Sequence, residues 1–304
     1  MPRAFVFSEY GGPDVSHFAE VPRPAPAEGE VLVAIRASGV NPADWKGRRG
    51  PGQGVPPEVP MVMGREFAGS VVDVGPGVDG FAVGDEVFGV PARGGSYAEF
   101  GILSTGQMAR KPPQLSFLEA ATLGVAGATA YDAITQLDPQ AGETLLVIGA
   151  GGGVGVLIVQ LAAKRGTRVL GTSSPTKRGL VESLGAIHIP YGEGVVEAIE
   201  AAAPDGVDAI FDTVGGAALR EVGPSLEDRA RLCSIGDPAA AEELGGKRLD
   251  RKRNSEVLEA IGRLTAEGVV TIPITEVFPF DEAAEALALV EAGHATGEIV
   301  LEIA

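Results

Sequence analysis

A chain of 304 residues, 45% hydrophobic and 21% charged, has room for two buried cores. Its formal net charge of -17 argues against a nucleic-acid partner, because phosphates reward a basic face. No apolar run nears the roughly 18 residues that span a bilayer, Met1–Phe7 does not open like a secretory signal, and the single Cys233 excludes an internal disulfide framework, so a cytoplasmic protein without a membrane partner is expected. His17, His188 and His294 stand too far apart to share metal-ligand spacing.

From Arg3 to about Lys111, short alternating apolar runs are separated by Gly and Pro. Val31–Arg36, Val71–Val74 and Glu86–Phe88 read as strands, and turn signals such as Gly75-Pro76-Gly77 lie between them. Many short strands so punctuated suggest a small barrel or sandwich. At Ser116 the texture changes. Ser116 and Glu119 have the spacing of a capping box, and an Ala-rich helical segment is expected to run to about Ile134.

The middle block then alternates strand and helix. Thr144–Ile148, Arg168–Gly171, Ile187–Ile189, Ala209–Asp212 and Arg231–Ile235 read as strands. Val154–Arg165 and a segment from Pro175 to Gly185 read as helices, the first with cations at its negative end. This rhythm implies a parallel sheet covered on both faces. The basic stretch Lys247–Arg253 reads as a solvated loop or helix start. Helices at about Ser255–Glu267 and Asp281–Ala292 and a strand from Glu298 to Ile303 complete the chain. Val269–Ile272 reads as a strand edge open to a partner chain.

Gly149-Ala150-Gly151-Gly152-Gly153-Val154-Gly155 directly follows the apolar strand and opens the helix. A dinucleotide needs this arrangement: a tight turn, close backbone approach to the pyrophosphate, and helix N–H groups facing it. The best register is Ala150-x-Gly152-x-x-Gly155. A ligand-free strand–helix connection is the bland alternative. About 20 residues on, NAD-binding domains place an acid on the ribose hydroxyls. Here the chain reads Thr172-Ser173-Ser174-Pro175-Thr176-Lys177-Arg178, hydroxyls followed by two cations. That suits a 2′-phosphate and hence NADPH, although Lys177 and Arg178 also fit an ordinary exposed helix turn.

Several motifs then stand in series: Gly39-Val40-Asn41-Pro42-Ala43-Asp44, Gly64-Arg65-Glu66-Phe67-Ala68-Gly69, Val83-Gly84-Asp85-Glu86-Val87, Gly95-Ser96-Tyr97-Ala98-Glu99 and Glu119-Ala120-Ala121. They continue through Gly127-Ala128-Thr129-Ala130-Tyr131, the glycine turn, Phe211-Asp212-Thr213-Val214-Gly215-Gly216 and Gly297-Glu298-Ile299-Val300-Leu301. In this order they resemble the zinc-independent, quinone oxidoreductase-like branch of the medium-chain dehydrogenase/reductase superfamily, over nearly the whole chain. The resemblance implies an α/β fold in which a GroES-like β-rich catalytic domain (1–118, completed by 254–304) is interrupted by a Rossmann doubly wound domain (119–253), with the active site in the cleft between them. It implies hydride transfer from NADPH to a quinone or other conjugated carbonyl, and a homodimer or homotetramer. An enoyl reductase of a biosynthetic intermediate, or an NADPH-binding protein with little turnover, remains an alternative.

Zinc members of the superfamily carry Cys where this chain has Asn41 and His where it has Arg65, and one Cys cannot build their structural zinc lobe, so no metal is expected. The resemblance places Asn41, Asp44, Trp45 and Arg65 at the substrate and nicotinamide cleft. It assigns cofactor contacts to Asn41, Thr129, Gly151, Gly152, Gly153, Val154, Gly155, Ser173, Ser174, Lys177, Arg178, Tyr191, Val214, Ile235 and Gly236. Structural readings stand beside these. Asn41 and Asp44 also fit a plain Asx turn, Trp45 packing, and Arg65 an ion pair with Asp44 or Glu66. Thr129 also fits helix packing and Tyr191 a loop aromatic. Cys233 reads as a buried strand residue. Glu298 stands where relatives often have Lys. No side chain stands out as a proton donor.

Overall fold

The computed structural model describes residues 1–50, 60–93, 95–226, 228, 231–293 and 295–303. His294 lies outside them. The chain forms two compact units: Met1–Ala128, Arg253–Glu267 and Ile272–Ala304 make one, and Thr129–Lys252 with Gly268–Thr271 the other.

The first unit opens with β1 (Arg3–Phe7), β2 (Ser16–Glu20), β3 (Glu30–Gly39), helix α1 (Pro42–Arg49), β4 (Met61–Val62), β5 (Phe67–Val74), β6 (Glu86–Arg93) and β7 (Phe100–Arg110). β1 is the middle of a small antiparallel sheet between β2 and β4. β3, β5, β6 and β7 close on themselves, because β3 pairs with β7 as well as with β5. The expected strands over Val31–Arg36, Val71–Val74 and Glu86–Phe88 all fall here. Their inward residues, among them Val31, Val33, Ile35, Val71 and Val87, join Phe5, Phe67 and Leu103 in one core. β3 shifts register between Ile35 and Ala37, which bends it and frees its last residues for another partner.

Helix α2 (Phe117–Ala120) begins on the expected capping box: Ser116 Oγ accepts from the Glu119 N–H at 3.2 Å, and Glu119 returns the bond to the Ser116 N–H at 2.8 Å. The helix does not run on to Ile134. Leu123–Gly127 is a π-type turn, and α3 spans Ala128–Leu137. The physical reason is tertiary, since the Val125 N–H donates to the Glu66 carboxyl at 2.6 Å.

The second unit carries β8 (Thr144–Ile148), α4 (Gly153–Lys164), β9 (Arg168–Ser173), α5 (Arg178–Ser183), β10 (Ala186–Pro190), α6 (Val195–Ala202), β11 (Ala209–Asp212), α7 (Gly216–Val222), β12 (Leu232–Ser234), α8 (Pro238–Glu243) and β13 (Lys247–Arg248). The sheet order is β10-β9-β8-β11-β12-β13 with every pair parallel. That is the Rossmann order, in which the chain reverses direction beside its first strand. β8 is buried throughout, as a strand covered on both faces must be. Lys247 and Arg248 are not in a solvated loop or helix start. They form the sixth strand, pairing with Cys233 and Ser234 while their side chains stay exposed.

The chain returns to the first unit with α9 (Ser255–Ala266), capped by Asn254, whose side chain accepts from the Val257 N–H at 3.0 Å. β14 (Ile274–Pro279), α10 (Ala283–Glu291) and β15 (Glu298–Glu302) follow. β15 pairs with the freed end of β3, and β14 lies parallel to β15. The reading of Val269–Ile272 as a strand edge is corrected. Val270 is buried, and Thr271 is bonded through both its backbone N–H and C=O to the Gln160 amide of α4 at 2.9 Å, so its main chain has no ladder to offer. No helix among the described residues is long and apolar enough to cross a membrane.

Candidate active site

In the second unit the sequence-expected cofactor residues gather at the carboxyl ends of the parallel strands. The glycine turn leaves β8 and enters α4, whose N-cap is Gly152 and which no side chain caps. Its first-turn N–H groups therefore face outward with a partial positive charge. The turn is as tight as backbone permits. A Cβ on Gly155 would meet the Gly149 carbonyl oxygen at 2.2 Å, and one on Gly151 would meet the Lys177 Cδ at 2.7 Å. The Lys177 stem thus lies against the turn, and partial burial lowers its ammonium pKa from the usual lysine value.

Around that turn, the Tyr191 N–H donates to the Ser173 carbonyl at 3.3 Å, and the Tyr191 side chain is 62% exposed. Ser174 shares a hydrogen bond with Thr176 at 2.9 Å. Val214, 57% exposed, is set by Asp212, whose Oδ1 accepts from the N–H groups of Val214 and Gly215 at 2.9 and 2.8 Å. The Ile235 N–H donates to the Asp212 carbonyl at 2.9 Å, and a Cβ on Gly236 would meet the Val214 carbonyl carbon at 2.5 Å. Arg178 turns instead to Glu182, one helical turn on, at 2.8 Å. Thr129 is buried in α3. Asp212 was missed by residue-level reading, although an acid at a strand end before Thr-Val-Gly-Gly is a signal for a loop tied to a carboxylate. An uncapped helix start, a turn with no room for a Cβ, and a lysine stem lying against that turn fit a phosphate-bearing dinucleotide.

In the first unit, α1 brings Asn41 and Asp44 together. Asp44 Oδ2 accepts from the Asn41 N–H at 2.8 Å and the Tyr97 hydroxyl at 2.9 Å. Arg65 answers to the ion-pair reading: its Nε lies 3.6 Å from Asp44 Oδ1 and donates to the Ala43 carbonyl at 3.2 Å. Asn41 and Asp44 form a capping box at the start of α1, and the Asn41 side chain also reaches across to Glu66. Its amide donates to Glu66 Oε1 at 2.6 Å, while Glu66 Oε2 takes the Val125 N–H at 2.6 Å. Burial pushes the Asp44 carboxyl up to about 6, the bonds from Asn41 and Tyr97 and the charges of Arg65 and Arg253 holding it back. Burial likewise pushes Glu66 up to about 8, and raises Glu298 well above the carboxylate range with the Glu66 charge adding to it. Glu66 is therefore largely protonated at neutral pH. Arg48, buried beside this cluster, pins α1 to Glu291 of α10 at 2.5 Å. Trp45 packs on the core with the Arg49 guanidinium 4.9 Å over its ring.

A cavity of about 210 Å³ opens in this unit, with Asp44, Gly47, Arg65 and Arg253 in its lining. Trp45 is not in that lining. Glu66, Tyr97 and Arg253 were not singled out from the sequence as site residues. Glu66 is adjacent to Arg65 and could have been found there, whereas Arg253 comes to the cavity from the far end of the chain. Cys233 is buried in β12, and burial pushes its thiol up to about 11, which suits packing rather than nucleophilic chemistry.

Residues 27–131 match the alcohol dehydrogenase GroES-like domain family, and residues 184–301 match the zinc-binding dehydrogenase family. The chloroplastic NADPH-dependent alkenal/one oxidoreductase of Arabidopsis thaliana is 32% identical, over 98% of this chain and 79% of its own. The quinone oxidoreductase structure from Coxiella burnetii superposes with a TM-score of 0.90 at 29% identity, covering 100% of this chain and 99% of that one. The Escherichia coli quinone oxidoreductase complexed with NADPH gives 0.88 at 25% identity, covering 99% of each. The chain belongs to the quinone oxidoreductase-like medium-chain dehydrogenases/reductases.

As a member of that family it is an oxidoreductase with a GroES-like and a Rossmann unit, acting on a small molecule and binding a nicotinamide dinucleotide. One matched family is named for zinc, yet this quinone oxidoreductase-like chain has Asn41 and Arg65 at the two ligand positions singled out above. Among the described residues no group of three or more His, Cys, Asp or Glu could hold a metal ion.

Proposed function

We propose that the protein is an NADPH-dependent, zinc-independent reductase that passes hydride to a quinone or another conjugated carbonyl. The observation that carries this reading is the end of β9. There Ser173 and Ser174 replace the acid that NADH-preferring domains use, and the Lys177 stem lies against Gly151. The similarity to an NADPH-dependent alkenal/one oxidoreductase and to a quinone oxidoreductase complexed with NADPH supports it.

NADPH, when bound, supplies the hydride. The chain's own residues bind and orient. The open first turn of α4 and the Gly151–Gly155 backbone take the pyrophosphate, and Lys177 with Ser173 takes the 2′-phosphate. Asn41, its Nδ2 fixed on Glu66, presents its Oδ1 as the acceptor for a hydroxyl of the cofactor or substrate. Without a Lewis acid, the oxygen that gains charge must be met by hydrogen bonds and cations, which favours acceptors that delocalise the incoming electron pair. Rate then comes chiefly from holding acceptor and cofactor together, with the proton drawn from water or a ribose hydroxyl.

The test is loss of NADPH absorbance in the presence of a small panel of quinones and enones, with NADH in parallel. Turnover of at least one class with NADPH is expected. Tight NADPH binding without turnover of any of them would leave a binding protein instead. Assembly as a homodimer or homotetramer is proposed from the family resemblance alone. Light scattering that reports only monomer at micromolar concentration would remove it.

A further inference from the structure

The first unit's cavity has a make-up that reducing a neutral quinone or enone does not require. Phe7, Met61, Met63 and Val90 give it apolar walls, yet two guanidinium groups, Arg65 and Arg253, line the same space against one carboxylate, Asp44. Among the described lining residues, these two cations and one carboxylate are the charged groups. That is a local reversal in a chain of net charge -17.

Arg65 engages the protein only through Nε. Among the described residues its Nη1 and Nη2 have no hydrogen-bond partner. The guanidinium lies against α1 at Gly47, where a Cβ would meet Nη2 at 2.7 Å, so the glycine leaves the outer fork its place beside the cavity. Asp44 cannot serve a ligand: its side chain is fully covered and its Oδ2 is already bonded twice. Arg253 holds a left-handed φ of 44°, a conformation a residue with a Cβ rarely adopts. It lines the cavity, and its charge lowers the pKa of both Asp44 and Glu66.

We propose that this cavity takes a short enone acceptor carrying a carboxylate on the alkene carbon β to its ketone, gripped by the outer fork of Arg65 with Arg253 as the second cation. Arg–carboxylate forks are bidentate and so fix direction as well as charge. The cavity is small beside the ~300–1,000 Å³ of ordinary ligand pockets, which is why the acceptor is short. This rests on the reductase reading. Hydride from NADPH forms a C–H bond at the alkene carbon β to the ketone. The C=C π pair becomes the Cα=C bond of an enolate as the C=O π pair moves to the ketone oxygen, and protonation at the α carbon by water, leaving hydroxide, restores the ketone and completes the second C–H bond. NADPH becomes NADP⁺, and the carboxylate leaves unchanged.

The experiment uses β-acetylacrylate, an enone acid, and its methyl ester. Their kcat/KM values with NADPH are compared in wild type, Arg65→Gln and Arg253→Gln, and the acid-to-ester ratio cancels the difference in intrinsic reactivity. Each variant should lower that ratio by about tenfold or more, and Arg65→Lys should restore part of it. Ester turnover reports that the variants are folded. Binding of levulinate, the saturated product, is followed on the cofactor-free protein through the fluorescence of Trp45, its single tryptophan. Arg65→Gln should weaken it by about the same factor. An unchanged ratio in both variants, with acid and ester both reduced, overturns the carboxylate site and leaves the reductase reading standing. If neither compound nor any quinone is reduced, the reductase reading fails. Levulinate binding that Arg65→Gln weakens would then still uphold the anion site, and its absence would overturn that too.

Discussion

Two ionisable side chains show how burial assigns work to single residues. The Lys177 stem lies against the glycine turn, so its ammonium is half-sheltered and any phosphate it meets is bound by a charge-assisted bond. Such a bond is worth about 1.5–3 kcal/mol, and Lys177→Ala should therefore cost NADPH roughly one to two orders of magnitude in affinity. NADH lacks the phosphate and should barely move. Titrating both cofactors against both proteins decides it, and equal losses would assign Lys177 to the pyrophosphate or to folding. Glu298 works the other way. Its folded pKa lies above the usual 4.5 chiefly because burial opposes ionisation, so the folded state keeps a proton that the unfolded chain releases. The stability it contributes is complete below about 4.5 and is lost as pH rises, by up to roughly 1.4 kcal/mol per pH unit. Glu298→Gln cannot ionise, so its Tm advantage over wild type should be small at pH 5 and grow toward pH 8. A gap that stays flat over that range would mean that Glu298 is not held protonated.

Elements were legible where local pattern and tertiary demand agree. β8 is an unbroken apolar run ending in glycines, so strand, turn and helix could be placed from the sequence, and a parallel sheet covered on both faces followed from the strand–helix rhythm. Three places were not legible, each because a distant group overrides local preference. The helix expected through Ile134 breaks at Leu123–Gly127 because Glu66 draws off the Val125 N–H. Val269–Ile272 looks like a strand, but Gln160 of α4 takes the main-chain bonds of Thr271. Lys247–Arg248 looks solvated and is so on its side chains, while its backbone completes the sheet. The same split runs through the site: Asn41, Asp44 and Arg65 lie in two short motifs, whereas Arg253 is brought in only by folding. The glycine turn gives the element-scale prediction. In Gly155→Ala the new methyl would stand 2.2 Å from the Gly149 oxygen and 2.8 Å from the Ala150 Cα, both backbone, so the turn must open. A loss of about 1–3 kcal/mol in denaturant unfolding is expected, the usual cost of overpacking, together with weakened binding of NADPH and NADH alike. Retained affinity for both would show that the pyrophosphate does not sit on this turn.

At the scale of the whole molecule, the proposed zinc-independent chemistry rests on what stands at the superfamily's two ligand positions. A catalytic zinc of this superfamily needs about three protein ligands from Cys, His or carboxylate, held in tetrahedral geometry. Here one ligand position holds Asn41, whose amide nitrogen is already bonded to Glu66, and the other holds Arg65, a permanent cation that would repel the ion. The nearest carboxylates do not make good the loss. Asp44 is committed to Asn41 and Tyr97, and Glu66 to the Asn41 amide and the Val125 N–H. A structural zinc lobe is excluded separately, because the chain has a single cysteine and that one is buried in β12. The protein should therefore purify with well under one zinc per chain, and dialysis against a chelator should leave both NADPH affinity and turnover unchanged. Elemental analysis of protein grown with added zinc is the stringent form of the test, since weak adventitious ions wash out and a true site does not. Roughly one tightly bound zinc per chain, with activity lost to the chelator and restored by the metal, would show that a ligand set other than the two positions at 41 and 65 has been recruited, and the zinc-independent chemistry proposed here would have to be abandoned.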